Sequence, residues 1–238
     1  IGFKMNKISH LDCTLRDGGY YNNWNFKISL IEKYLNAMSD IKIDYVEIGF
    51  RSLEKNEFRG ACAYTTDEFL NTLKIPKDIK LAVMVNASEL VKNSSKNKNL
   101  ETIKKLFKKS NKTKIKLVRI ASHFSEISKL MPLIPKLKKL GYKIAINLMQ
   151  SSDITEKEIK NFCILSQKYK IDILYFADST GSLNSGKTIK ITKLFRKYWK
   201  GNLGIHAHDN MGKAMENSIS AIDNGTNWVD STVLGMGR

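Results

Sequence analysis

No run of about 18 apolar residues occurs in the 238-residue chain, so a transmembrane helix is not expected. The first residues lack a basic segment followed by an apolar stretch and a small-residue cleavage site, so no secretory signal is expected either. Cysteine is scarce. Cys13, Cys62 and Cys163 are widely spaced, odd in number and never form a CxxC pair. That pattern argues against a disulfide framework or a cysteine zinc site, and it points to a reducing cytoplasm. Arginine is scarce too, with six residues among 40 basic ones. The net charge of +17 is therefore mostly lysine, spread over most of the predicted helices. Nucleic-acid surfaces lean on arginine as well as lysine and often add aromatic platforms. The densest basic run, 92–116, has Phe107 as its only aromatic and no Gly-rich RNA-binding signature. The charge reads as solvated helix surface, and neither nucleic acid nor a membrane is expected as a partner.

What is present is a regular alternation. Apolar runs at 8–13, 43–50, 80–86, 114–122, 143–150, 171–179, 203–209 and 227–238 read as strands. Amphipathic stretches at 26–38, 65–74, 99–110, 126–141, 155–169, 185–199 and 211–225 read as the helices between them. Continuous apolar strands fit a parallel sheet covered on both faces. Eight such units in a chain of this length predict an α/β fold of the (β/α)₈ TIM-barrel type, one domain over residues 1–238, with its last helix expected after Arg238. The runner-up, a doubly wound open sheet, lacks a GxGxxG turn after the first strand.

In such a barrel the chemistry lies at the C-terminal ends of the strands. Those ends hold Asp12, Arg16 and Asp17, then Glu47 and Arg51, Asn86, Arg119 and His123, and Asn147 and Gln150. Asp178 follows from the sixth strand, His206, His208 and Asp209 from the seventh, and Asp230 and Arg238 from the eighth. The opposite ends carry mostly Lys, Asn and Gly. In "GIHAHDN" (204–210), His206 and His208 are two apart and share a face if the segment is extended. The pair alone reads equally as hydrogen-bonded histidines or as ligands of a divalent metal. An acidic end on the first strand and only four histidines in the chain weigh toward metal.

"LDCTLRDGG" (11–19), "HAHDN" (206–210) and "GMGR" (235–238) together resemble the metal-dependent aldolase and lyase superfamily, over nearly the whole chain. That group includes hydroxymethylglutaryl-CoA lyase, isopropylmalate synthase and, as the nearest branch, 4-hydroxy-2-oxovalerate aldolase. The resemblance implies a divalent metal held by Asp17, His206 and His208: Mn²⁺ or Mg²⁺ first, Zn²⁺ or Co²⁺ next. It implies a 2-oxo acid substrate, a C–C bond made or broken through an enolate, and Arg16 as the stabiliser of the enolate oxygen. An ion pair of Arg16 with Asp12 or Asp17 would be compatible with that role. Glu47 and Asp178 match family acids that orient substrate or support the metal ligands. Arg119, His123 and Asn147 complete the expected substrate side.

The chain departs from the family pattern in two places. The aldolase branch has a histidine base after the "LRDG" motif, where this chain has Gly19, Tyr20 and Tyr21. Tyr20 is the replacement acid–base candidate, with a packed aromatic lid as its other reading. The lyase branch has a cysteine after the eighth strand, where this chain has "LGMGR" (234–238), which disfavours a hydroxymethylglutaryl-type lyase. Gly18 and Gly19 are expected to permit a tight turn or close approach to a ligand. The alternatives are an acyl-CoA condensing enzyme of the isopropylmalate synthase type and a non-catalytic barrel scaffold. A homo-oligomer and a further C-terminal domain are both compatible with these readings.

Overall fold

A computed structural model describes residues 7–54 and 58–237. Its eight strands are β1 (Ser9–Asp12), β2 (Tyr45–Phe50), β3 (Lys80–Asn86), β4 (Ile115–Ser122), β5 (Lys143–Leu148), β6 (Ile173–Ala177), β7 (Asn202–His206) and β8 (Trp228–Ser231). All pair in parallel, in sequence order, and β8 pairs back onto β1 to close the barrel.

Side chains on a strand alternate between two faces, and here both are buried. Along β4, Val118 and Ile120 face outward into the layer shared with the helices, while Leu117 faces the interior. Leu11, Tyr45, Ala82, Leu117, Ala145, Ile173 and Trp228 fill the interior with apolar groups. The helices supply the matching outer layer. Ile28–Asp40 turns Ile31, Leu35 and Met38 inward at helical spacing. Thr155 and Glu158 form a reciprocal capping box at the start of Glu156–Lys168, and Asn184 caps Ser185–Tyr198.

Three expectations need correction. The eighth strand is four residues long, and the chain leaves it after Ser231 for a short 3₁₀ turn, Val233–Gly235. Arg238 lies outside the described residues. The stretch 126–141 is not one helix: Pro132 and Pro135 lack the N–H a continuous helix needs, and it breaks into Ile127–Leu130, a 3₁₀ turn Met131–Leu133, and Ile134–Lys139. The seventh strand stops at His206, so His208 stands in the loop beyond it.

Candidate active site

β1 ends at Asp12, whose Oδ1 accepts the Thr14 N–H at 2.8 Å and also takes the Tyr34 hydroxyl. These bonds start a single helical turn, Thr14–Asp17, that carries Arg16 and Asp17 at the C-terminal end of the barrel. A 3₁₀ turn, Gly18–Tyr21, follows. A Cβ on Gly19 would lie 2.0 Å from the Trp24 ring. Gly19 therefore makes room for the Trp24 indole, whose Nε1 donates to the Arg16 carbonyl at 2.8 Å. Its lack of a side chain serves the support of Arg16 rather than approach to a ligand.

Arg16 sits in a closed circuit of buried charges. Its Nε donates to Glu47 Oε1 at 2.7 Å, and its Nη1 pairs with Asp17. Glu47 Oε2 takes Arg119 Nη1 at 3.0 Å, and Arg119 Nη2 pairs with Asp230. Asp230 Oδ2 is 2.8 Å from His206 Nδ1, and His206 Nε2 is 3.5 Å from Asp17 Oδ2, which closes the circuit. Cys13 Sγ donates to Asp17 Oδ2 at 3.3 Å from inside. Glu47, Arg119 and Asp230 come from even-numbered strands and contact one another across the interior, as residues of one barrel layer do. Tyr175, from β6, joins them with its ring 4.5 Å from the Arg119 guanidinium carbon. Glycine at 204 makes this possible, because a Cβ there would lie 2.3 Å from the Tyr175 ring.

The electrostatics of the circuit are unbalanced. Two guanidiniums face three carboxylates, which leaves one net negative charge when His206 is neutral. Burial raises the Asp17 carboxyl pKa, but the charges of Arg16 and His206 and the Cys13 hydrogen bond outweigh it and hold it below its usual value. Asp230 behaves likewise: burial is overcome by Arg119 and His206. Burial and the neighbouring Asp17 push the Cys13 thiol well up. Three carboxylates and two guanidiniums are thus held at the end of a closed barrel, and the remaining negative charge is left for His206 or a bound cation to balance.

The other expected residues are placed as follows. The His208 ring lies 5.2 Å from the His206 ring, nearly perpendicular to it, although His208 is off the strand. Asn147 is buried at the end of β5, and its Oδ1 has no hydrogen-bond partner among the described residues. Asp178 is buried just past β6 and accepts the Ser182 and Leu183 N–H groups, which ties down the loop before Ser185–Tyr198. Burial raises its carboxyl pKa despite those bonds. Both Glu47 oxygens are taken by arginines, so Glu47 holds the arginines instead of facing a substrate. His123 is exposed and starts the turn Phe124–Glu126, apart from the circuit. Tyr20 packs edge-on against Trp24, with ring centres 4.8 Å apart. With Trp24, Phe50 and Arg59, Tyr20 lines a cavity of about 490 Å³. Phe50 also lies under the Arg16 guanidinium, 5.8 Å from ring centre to carbon, so this cavity adjoins the circuit on its Arg16 side.

Three contributors escaped the sequence reading. Asp230 was visible as a strand end but had no assigned partner. Cys13 and Tyr175 gave no signal of their own. A usable clue was their spacing: Asp230, Arg119 and Glu47 each lie two residues beyond an apolar interior residue, namely Trp228, Leu117 and Tyr45.

Among the described residues no helix is long and apolar enough to cross a membrane. Cys13, His206 and Asp230 also bring ligand-type atoms within 4.8 Å of one another.

Comparison with known proteins agrees with this architecture. The chain is 24% identical over 234 residues to a 4-hydroxy-2-oxovalerate aldolase of Pelotomaculum thermopropionicum, covering 97% of this chain and 66% of the relative. It is 23% identical to an oxaloacetate decarboxylase of Mycobacterium tuberculosis, covering 96% and 65%. It thus spans just under two thirds of these relatives. Among solved structures, the N-terminal domain of a Bacteroides vulgatus protein assigned as an aldolase superposes with a TM-score of 0.81 at 33% identity, covering 97% of this chain and 74% of that one. The HMGL-like family profile matches residues 7–238, almost the full length of the barrel just described, and the chain belongs to that family.

Proposed function

We propose that residues 1–238 form the catalytic barrel of a divalent-metal-dependent lyase that cleaves or forms a C–C bond beside the carbonyl of a 2-oxo acid. The observation that carries this reading is the unbalanced circuit, with Arg16, Asp17 and His206 together at the C-terminal end of the barrel. The donor set fits the metal. Asp17 offers a carboxylate, His206 and His208 offer adjacent imidazoles, and three carboxylates face two guanidiniums, so a cation is accommodated. Mn²⁺ or Mg²⁺ suits a site that handles oxygen-rich substrates, with Zn²⁺ and Co²⁺ as alternatives. When bound, the metal polarises the 2-oxo group as a Lewis acid.

The chain's own residues do the rest. Arg16 has Nε and Nη1 committed to Glu47 and Asp17, which fixes the plane of its guanidinium and leaves Nη2 as the donor for an enolate oxygen. In aldol cleavage the C3–C4 bond breaks, its electrons pass into the enolate, and the C4 hydroxyl proton goes to a base. Tyr20 is the acid–base candidate beside the cavity, which receives the departing aldehyde. Asn147 offers its free Oδ1 to the substrate, Glu47 and Arg119 hold Arg16 in place, and Asp178 and His123 shape the rim. Decarboxylation of a 3-carboxy-2-oxo acid is the second reading. It produces the same enolate without a hydroxyl proton to remove, and the absence of a histidine at 19–21 favours it. The three buried free cysteines suit a reducing cytoplasm, and a homo-oligomer is compatible with the fold.

The test is metal analysis of wild type beside His208→Ala, followed by exchange of the methyl protons of pyruvate in D₂O. About one equivalent of divalent metal and metal-dependent exchange in wild type, both lost in the variant, are expected. Wild type that takes up no metal after reloading would return the chain to the non-catalytic scaffold reading. Tyr20→Phe separates the two reactions: aldol cleavage falls by roughly 10²-fold or more while decarboxylation is kept.

A further inference from the structure

The histidine at the end of β7 has two different neighbours on the two sides of its ring. Nδ1 meets Asp230 Oδ2 at 2.8 Å, and Nε2 faces Asp17 Oδ2 at 3.5 Å. A neutral imidazole carries one N–H and one lone pair, and only the nitrogen with the lone pair can bind a metal. Which nitrogen that is depends on what the other one donates to. We propose that Asp230 is a positioning residue that holds the proton of His206 on Nδ1, and so presents the Nε2 lone pair to the metal beside Asp17.

Asp230 is built for this task. Only 2% of its side chain is exposed, and it is locked in place by Arg119. Arg119 is itself held by Glu47 at 3.0 Å and packed on Tyr175. The oxygen that faces His206 Nδ1 already accepts from Arg119 Nη2, so it stands there as an acceptor and the N–H of that contact is the imidazole's. Without that acceptor, nothing described on the Nδ1 side would retain the proton there. It would move to Nε2 and point at Asp17, and two ligand atoms would then be spent on each other. The same chain of contacts runs from Asp230 through Arg119 and Glu47 to Arg16. One buried row of charges therefore orients both the histidine and the arginine of the site.

Cys13, His206 and Asp230 offer a competing metal position. Two features disfavour it. Cys13 Sγ lies on the inner side of the circuit and already donates to Asp17 Oδ2 and the Ser231 carbonyl. Asp230 Oδ2 also already serves both Arg119 and His206.

The inference rests on the proposed metal centre, and its test separates the two. Long-range ¹H–¹⁵N spectra of metal-free protein at about pH 9, above the ordinary imidazole range, read the tautomer directly once the four histidines are assigned by single replacements. Wild type should show His206 protonated on Nδ1, and Asp230→Asn should shift the proton toward Nε2. Mn²⁺ affinity measured by calorimetry should fall roughly 10–100-fold in Asp230→Asn and recover in part in Asp230→Glu. Wild type with the proton on Nε2 would overturn the proposal, and that spectrum needs no variant to fold. Unchanged Mn²⁺ affinity in folded Asp230→Asn would overturn it too. So would a thiolate-to-metal absorption band on adding Co²⁺ that is lost in Cys13→Ser, because it would make Asp230 a ligand. If wild type keeps the Nδ1 proton yet binds no Mn²⁺, the metal reading fails while the hold of Asp230 on His206 stands.

Discussion

Two arginines at the same end of this barrel are almost equally buried, Arg51 at 4% exposure and Arg119 at 0%, yet their surroundings differ in kind. Arg51 donates Nε to the Thr65 carbonyl, Nη1 to the Leu106 carbonyl and Nη2 to Asp67, all within 2.8 Å. Every nitrogen has a partner, and its one charge meets one carboxylate. Arg119 meets two carboxylates, leaves Nε without a partner among the described residues, and shares its circuit with Arg16, Asp17 and His206. The first arrangement is complete and joins β2 to the segments behind it. The second has surplus negative charge and unsatisfied atoms. Burial alone does not separate these two arginines; charge balance and unused hydrogen-bonding capacity do.

The largest expected effect breaks the complete side of the comparison. Arg51→Met would leave Asp67 with only the more distant, exposed Lys108 as a cation and would empty three buried hydrogen bonds, and stability should fall by about 3 kcal/mol. Urea unfolding measures the loss, and turnover per folded molecule should stay near wild type. A variant as stable as wild type would show that Arg51 contributes little to the fold.

Arg16→Gln attacks the other side. It should lower kcat by roughly 10²–10³, about 2.7–4 kcal/mol of barrier, at temperatures where both proteins are fully folded. A loss below fivefold would mean that Arg16 is as structural as Arg51.

The smallest effect is a pH dependence. Burial raises the Asp67 carboxyl, but hydrogen bonds from Thr113 and Arg51 and the charges of Arg51 and Lys108 outweigh it and hold it below the usual range. Its folded value lies below its unfolded value of about 3.9, so its contribution is complete above that pH and lost as pH falls through the folded value. The stability gap between wild type and Asp67→Asn should therefore be level from about pH 5 to 8 and shrink below about pH 4. A gap independent of pH would place the effect in packing.

The alternation of strands and helices was legible because each element carries its own pattern. Continuous apolar runs and capping residues such as Thr155 act locally. The candidate residues were legible where they sit in short motifs, as Arg16, Asp17, His206 and His208 do. The roles of Glu47, Arg119 and Asp230 were not, because residues 72 and 111 positions apart meet only through the shear and closure of the barrel. The pairing of His206 with His208 was read correctly from an incorrect premise. The strand ends at His206, and the loop brings His208 back against it. Of the two roles expected of Gly19, the tight turn is present, but its close neighbour is Trp24, five residues ahead through a turn that no strand or helix period describes.

The pairing of β1 with β8 also has a meaning in time. The chain is made from one end, and Arg119 emerges long before the carboxylate of Asp230, its partner on the last strand. Until that strand docks, the barrel has a raw seam along Ser9–Asp12, and His206 has no acceptor on its Nδ1 side. A single late arrival seals the sheet and sets the histidine. An unfinished barrel of this protein therefore leaves the circuit of Arg16, Asp17, Glu47, Arg119 and His206 open as well.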